Sequence, residues 1–132
     1  MMVFVDTSAL LALLDADDEH HDRSVATWGR LAEAEADLVS TNYVIVETVA
    51  IVQHRLGIEA VRTFTQEVAP FIELVFVDEA VHQTALTALL LAGRRRLSLV
   101  DCVSLEVMRR RGLAGAYAYD RHFAEHGFTI ER

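Results

Sequence analysis

Four carboxylates stand where a carboxylate is either a cap or a reagent: Asp6, Glu47, Asp101 and Asp120. Asp6 directly follows the apolar run Val3-Phe4-Val5, and Asp120 follows Ala116-Tyr117-Ala118-Tyr119. Both runs read as strands of a parallel sheet, and sites in such sheets form beyond the carboxyl ends of the strands. The two acids are therefore expected at one edge of the sheet. Taken singly, each equally suits a cap on the turn that follows. Asp101 lies three residues after Ser98, the Ser-x-x-acid spacing of a capping box, and also in the first turn of a helix, where an acid can face a cleft. Glu47 sits in Tyr43-Val44-Ile45-Val46-Glu47-Thr48-Val49-Ala50-Ile51-Val52, a helix so apolar that it is expected to be buried. An ionised carboxylate there costs several kcal/mol, by rough order, unless it is paired or metal-bound. A protonated or arginine-paired glutamate is the structural alternative.

Carboxylates converging on one sheet edge repel one another unless a cation joins them. An all-oxygen donor set suits hard divalent cations such as Mg²⁺ or Mn²⁺. The chemistry that fits is phosphodiester hydrolysis, in which the metal neutralises phosphate and activates water.

The elements that must position these acids follow from the alternation of short apolar runs with longer helical ones. Strands are expected at Val3–Val5, Leu38–Ser40, Leu74–Val77 and Ala116–Tyr119, with Phe128–Ile130 as a short edge strand. Helices are expected from Asp6 to Leu14, about Glu19 to Glu35, Thr41 or Asn42 to Leu56, Ile58 to Ala69, Asp78 to Gly93 and Ser98 to Gly112. The order β-α-α-β-α-α-β-α-α-β predicts an α/β/α sandwich with a mainly parallel sheet of four to five strands. A length of 132 residues fits a single domain spanning 1–132.

Composition narrows the chemistry further. The net charge is −8, against a non-specific basic nucleic-acid surface, although a nuclease can meet phosphate through metal ions. All 12 basic residues are arginine, so mechanisms that need a lysine are excluded, the P-loop and Schiff bases among them. Two clusters, Arg94-Arg95-Arg96 and Arg109-Arg110-Arg111, suit helix ends, and the first also precedes Asp101. One cysteine, no apolar run of bilayer length and no signal-like start lead to the expectation of a cytoplasmic protein with no membrane contact. Six histidines include no His-Glu-x-x-His pair, and Cys102 sits in an apolar helix without an evident base. Asp6-Thr7-Ser8 lacks the second aspartate and later lysine of a haloacid-dehalogenase-type phosphatase.

Val3-Phe4-Val5-Asp6-Thr7-Ser8, the polar stretch with His20-His21, Glu47 after the second strand, Leu97-Ser98-Leu99-Val100-Asp101 and Tyr119-Asp120-Arg121-His122-Phe123 together resemble a PIN domain over essentially the whole chain. Each motif is weak; all of them in order are specific. The resemblance implies that Asp6, Glu47, Asp101 and Asp120 bind Mg²⁺ or Mn²⁺ and cleave single-stranded RNA, with Thr7 and Ser8 in support. The small form is similar to VapC-type toxins, which implies a homodimer and an inhibitory antitoxin that presents an arginine to the acidic site. Arg94, Arg95 and Arg96 are then candidate contacts to RNA or antitoxin, and the apolar helices near Glu47 and from Ile58 to Phe71 a candidate dimer face. Ala118 departs from the family, which often has Thr or Ser there, and Asp is frequent where His122 stands. The alternative from another class is a catalytically silent PIN-like module that binds RNA or protein.

Overall fold

The computed structural model describes residues 1–132. Its sheet contains β1 (Met2–Val5), β2 (Asp37–Thr41), β3 (Ile72–Val75), β4 (Gly115–Tyr117) and β5 (Thr129–Glu131). The order is β3-β2-β1-β4-β5, and every pairing is parallel. Parallel neighbours need crossovers, and helices supply them. α1 (Thr7–Leu14) and α2 (His21–Glu33) link β1 to β2, and α3 (Asn42–Leu56) and α4 (Ile58–Thr63) link β2 to β3. α5 (Glu79–Ala92) and α6 (Leu99–Arg111) lead to β4, and α7 (Arg121–Glu125) leads to β5. From β1 the chain fills the sheet to one side with β2 and β3, then to the other with β4 and β5. The crevice beyond β1 and β4 is thus a topological switch point, where open α/β sheets place their ligands.

The strands are short and apolar because both faces are covered. Val3, Phe4, Val5, Ala116 and Tyr117 are all fully buried. α6 is the most deeply packed helix, with Cys102, Val103, Leu105, Val107 and Met108 in the core. It packs against α5 and α3 and ends at Gly112, whose φ of 66° suits the left-handed C-terminal cap. No helix is long and apolar enough to cross a membrane.

The sheet is α/β and parallel as expected, and it has five strands. Several boundaries differ from the sequence reading. β3 covers Ile72–Val75 rather than Leu74–Val77, because its partner β2 ends at Thr41, which pairs with Val75. Beyond that point the Val77 N–H donates to the Asn42 side chain at 2.8 Å instead of to a strand. β4 stops at Tyr117; the Tyr119 N–H donates to Ser8 Oγ at 2.9 Å, turning the chain into the site. α2 spans His21–Glu33, shorter than the expected Glu19–Glu35, because Asp18 ties the His20 N–H into a turn. The helix from Ile58 does not run intact to Ala69: α4 gives way to a π-turn at Phe64–Val68 and a 3₁₀ turn at Ala69–Phe71 around Pro70. α3 is not buried all round, since Val46 is 68% exposed and Ala50 also faces solvent. An apolar composition could not show that one side of this helix has nothing packed across it.

Candidate active site

Asp6, Glu47, Asp101 and Asp120, together with Thr7, Ser8 and Ser98, line one cavity of about 280 Å³ beyond the ends of β1 and β4. Three of the acids arrive there as helix caps. Asp6 caps α1 and takes the Ser8 N–H at 3.1 Å and the Ser8 hydroxyl at 2.6 Å, both on Oδ2. Asp101 completes a capping box: its Oδ2 accepts the Ser98 N–H at 2.9 Å, while Ser98 Oγ accepts the Asp101 N–H at 3.0 Å. Asp120 caps α7, its Oδ1 accepting the His122 N–H at 3.4 Å. The capping and the chemical readings of these residues therefore do not compete. Each cap occupies one carboxylate oxygen and aims the side chain, leaving the other oxygen available to the cavity.

Glu47 arrives from the middle of α3, half-buried and opposite the caps. No arginine pairs with it, nor with Asp6, Asp101 or Asp120. The arginine-paired alternative for Glu47 is thus removed. Behind these acids, Thr48 donates to Thr7 Oγ1 at 3.2 Å, and Thr7 donates to the Val44 carbonyl at 3.4 Å, joining α1 to α3.

The cluster resists ionisation. Burial pushes the Asp6 carboxyl up to about 7; the Ser8 bonds oppose the shift, and the charges of Asp101 and Asp120 add to it. Burial also raises Glu47 and Asp101, again with help from neighbouring carboxylates. Within this cluster, Asp101, Asp120 and His122 offer ligand atoms all within 4.8 Å of one another. Four carboxylates, three of them held through a single oxygen and none paired with an arginine, form a donor set that fits a hard divalent cation.

The structure brings the four acids and the two hydroxyl residues of the sequence reading, Thr7 and Ser8, to one cavity. The hydroxyl lost at Ala118 is not replaced by a free one: Ser8 bonds Asp6 and the Tyr119 N–H, and Thr7 bonds Val44 and Thr48. Arg94 and Arg96 do approach the site. With Arg121, Tyr119, His122 and Glu125 they line a second cleft of about 630 Å³, which meets the acid cavity at Asp120. Arg94 is held there by Glu125 at 3.2 Å, whereas Arg95 lies outside the cleft. Arg121 and His122 were not singled out as site residues; the adjacency of Arg121 to Asp120 was a signal, whereas the partners of His122 lie in distant segments.

With this geometry in place, the relatives can be set beside it. The PIN domain model matches residues 3–129. The chain is 31% identical over 132 residues to the 23S rRNA-specific endonuclease VapC20 of Mycobacterium tuberculosis, covering 99% of this chain and 98% of that protein. The crystal structure of VapC20, described as a Sarcin-Ricin loop cleaving toxin, superposes with a TM-score of 0.82 at 29% identity, covering 96% of both chains. FitAcB from Neisseria gonorrhoeae shares the fold alone, with a TM-score of 0.70 at 15% identity and coverage of 100% and 97%. The chain belongs to the PIN-domain family, on the VapC-type toxin branch.

Proposed function

We propose that this chain is a metal-dependent endoribonuclease, the toxin of a toxin–antitoxin pair, cutting a single-stranded loop of RNA of the kind VapC20 is named for. The observation that carries the reading is the convergence of Asp6, Glu47, Asp101 and Asp120 on one cavity at the switch point of the sheet. These four residues would hold Mg²⁺ or Mn²⁺. When bound, the metal neutralises the scissile phosphate and lowers the pKa of an attacking water.

The chain's own residues prepare that chemistry. The Ser8 hydroxyl donates to Asp6 Oδ2 and fixes the carboxylate, and the Ser98 backbone N–H does the same for Asp101 Oδ2. Thr7 and Thr48 hold α1 against α3 and so set Glu47 across from the caps. RNA phosphates meet only negative charge in the cavity itself, so the flanking backbone needs a cationic track. Arg96, Arg121 and Arg94 line the cleft next to Asp120 and supply one.

The 132 residues act as one PIN domain. The acidic cavity suits an antitoxin arginine that displaces the metal, because that side chain would be paired and hydrogen-bonded by several carboxylates. Val46, Ile58, Phe71, Leu74 and Phe76 are exposed apolar residues on α3, α4 and the β3 edge, and they suit a homodimer face. The work is placed in the cytoplasm, where RNA is available and the buried free Cys102 stays reduced.

The test is to incubate purified protein and Asp101→Asn with an RNA pool containing 23S rRNA, with Mn²⁺ or with EDTA. Cleavage that needs Mn²⁺ and is lost in the variant is expected. Absence of both cleavage and Mn²⁺ binding in the wild type would establish a silent module instead.

A further inference from the structure

His122 sits at a junction that the four acids do not explain. It is buried, with a side chain only 8% exposed. Its Nε2 lies 3.2 Å from Asp120 Oδ1, 3.5 Å from Asp101 Oδ2 and 3.2 Å from the carbonyl oxygen of Arg96. These atoms belong to three separate segments: the turn after β4, the first turn of α6, and the loop before α6. Nδ1, at the other end of the ring, is buried and has no partner.

The surroundings fix the tautomer. The Arg96 carbonyl oxygen that Nε2 bonds can only accept, so the proton belongs on Nε2. Moving it to Nδ1 would aim a lone pair at three oxygens and leave a buried N–H without an acceptor. A ring nitrogen that ligates a metal needs its lone pair, and its partner nitrogen then donates to a carboxylate, carbonyl or water. No such acceptor stands at Nδ1.

We propose that His122 is a positioning residue: its Nε2–H donates to the Arg96 carbonyl, and the ring so anchored lies 3.2 Å from Asp120 Oδ1 and 3.5 Å from Asp101 Oδ2 and holds the two acids at their working separation, without ligating the metal. One buried ring thereby sets two of the acids that receive the cation and one wall of the arginine cleft. The proposal rests on the metal-nuclease reading above and names how this chain organises that site.

Its test reads Mn²⁺ itself. Calorimetric titration of Mn²⁺ into wild type, His122→Leu and His122→Gln should show affinity falling roughly 10- to 100-fold in the leucine variant, as for lost outer-shell partners. The glutamine variant, whose amide N–H can occupy the place of Nε2–H, should recover most of that loss. Pulsed EPR of Mn²⁺ on the wild type should show no directly bound imidazole nitrogen. A directly bound nitrogen, or a folded leucine variant with wild-type Mn²⁺ affinity, would overturn the positioning role. If the leucine variant does not fold, a glutamine variant no better than His122→Ala overturns it equally. A wild type that binds Mn²⁺ and cuts RNA while the variants match it sinks this inference alone; a wild type that binds no Mn²⁺ sinks the nuclease reading as well.

Discussion

Ser8 holds Asp6 from its own next turn: its hydroxyl donates to Asp6 Oδ2 at 2.6 Å, and Ser8 Oγ in turn accepts the Tyr119 N–H at 2.9 Å. One side chain therefore fixes the acid at the end of β1 and steers the chain leaving β4 toward Asp120. Ser8→Ala should leave the Tyr119 N–H without its acceptor and Asp6 without its closest donor. The expected stability loss is about 1–3 kcal/mol, read from the urea midpoint. Because the Ser8 bonds favour the charged form of Asp6, their loss raises its carboxyl further. Mn²⁺ affinity at pH 7 should fall more than at pH 9, and equal losses at the two values would break this link.

Asp6 also fixes how the metal-free protein responds to pH. Its carboxyl titrates near 7 in the folded chain against an ordinary value of 3.8, principally because it is buried. Between those values the folded state keeps a proton that the unfolded state has released, so stability falls as pH rises through this window. Burial raises Glu47 and Asp101 in the same direction. For Asp6 the loss amounts to at most about 4 kcal/mol. Denaturation in EDTA should therefore show a less stable protein at pH 8 than at pH 5. Asp6→Asn should flatten that slope, and added Mn²⁺ should restore stability at pH 8, since a metal binds the deprotonated acids. A stability that rises from pH 5 to pH 8 in EDTA would contradict the burial of this cluster.

The acids at strand ends were legible because a parallel sheet leaves little choice about where the ends of β1 and β4 meet. Asp101 was legible through the Ser98 spacing, which the capping box reproduces. The β3 register was not, since Phe76 and Val77 are as apolar as Ile72 and Leu74; only the end of β2 at Thr41 decides where pairing stops. The burial of α3 was misjudged for a related reason. Val46 is as apolar as Val44, yet it is 68% exposed while Val44 is buried, and only the packed neighbours α1 and α6 distinguish the two sides. His122 was hidden because its partners are Arg96 and Asp101 in distant segments, and a spacing of two from Asp120 carries no such information.

The arginine cleft predicts a split in kinetics. Arg96 and Arg121 line it without ion pairs to acids, whereas Arg94 is already held by Glu125. Replacing Arg96 and Arg121 together by Gln should raise KM for RNA with little change in kcat, because phosphate contacts away from the scissile bond act on binding. Each lost contact should also lower the salt dependence of RNA affinity by about 0.7 in log–log slope, the single-strand value. Arg95→Gln, outside the cleft, should change neither. Equal effects of Arg95 and Arg96 would mean that the basic cluster acts by general charge and the cleft has no part in it.

Tyr117 separates stability from chemistry. It is fully buried in β4, where its hydroxyl touches the Ser24 hydroxyl and donates to the Ser24 carbonyl at 2.9 Å. Ser24 in turn donates to the Ala9 carbonyl at 3.0 Å, so the pair locks α2 onto α1 and the sheet. Burial pushes the phenol up to about 12, and the hydroxyl stays protonated as a donor at any working pH. Tyr117→Phe removes that donor and its bond to the Ser24 carbonyl in the core, an expected loss of about 0.5–1.5 kcal/mol. The backbone bond from the Asp6 N–H to the Tyr117 carbonyl, 3.1 Å, survives the change and keeps β1 and β4 in register at the site. Mn²⁺ affinity and RNA cleavage should therefore match wild type well below the lowered melting temperature. A Tyr117→Phe protein that stays as stable as wild type but loses Mn²⁺ would place this hydroxyl in the service of the acids and not of the core.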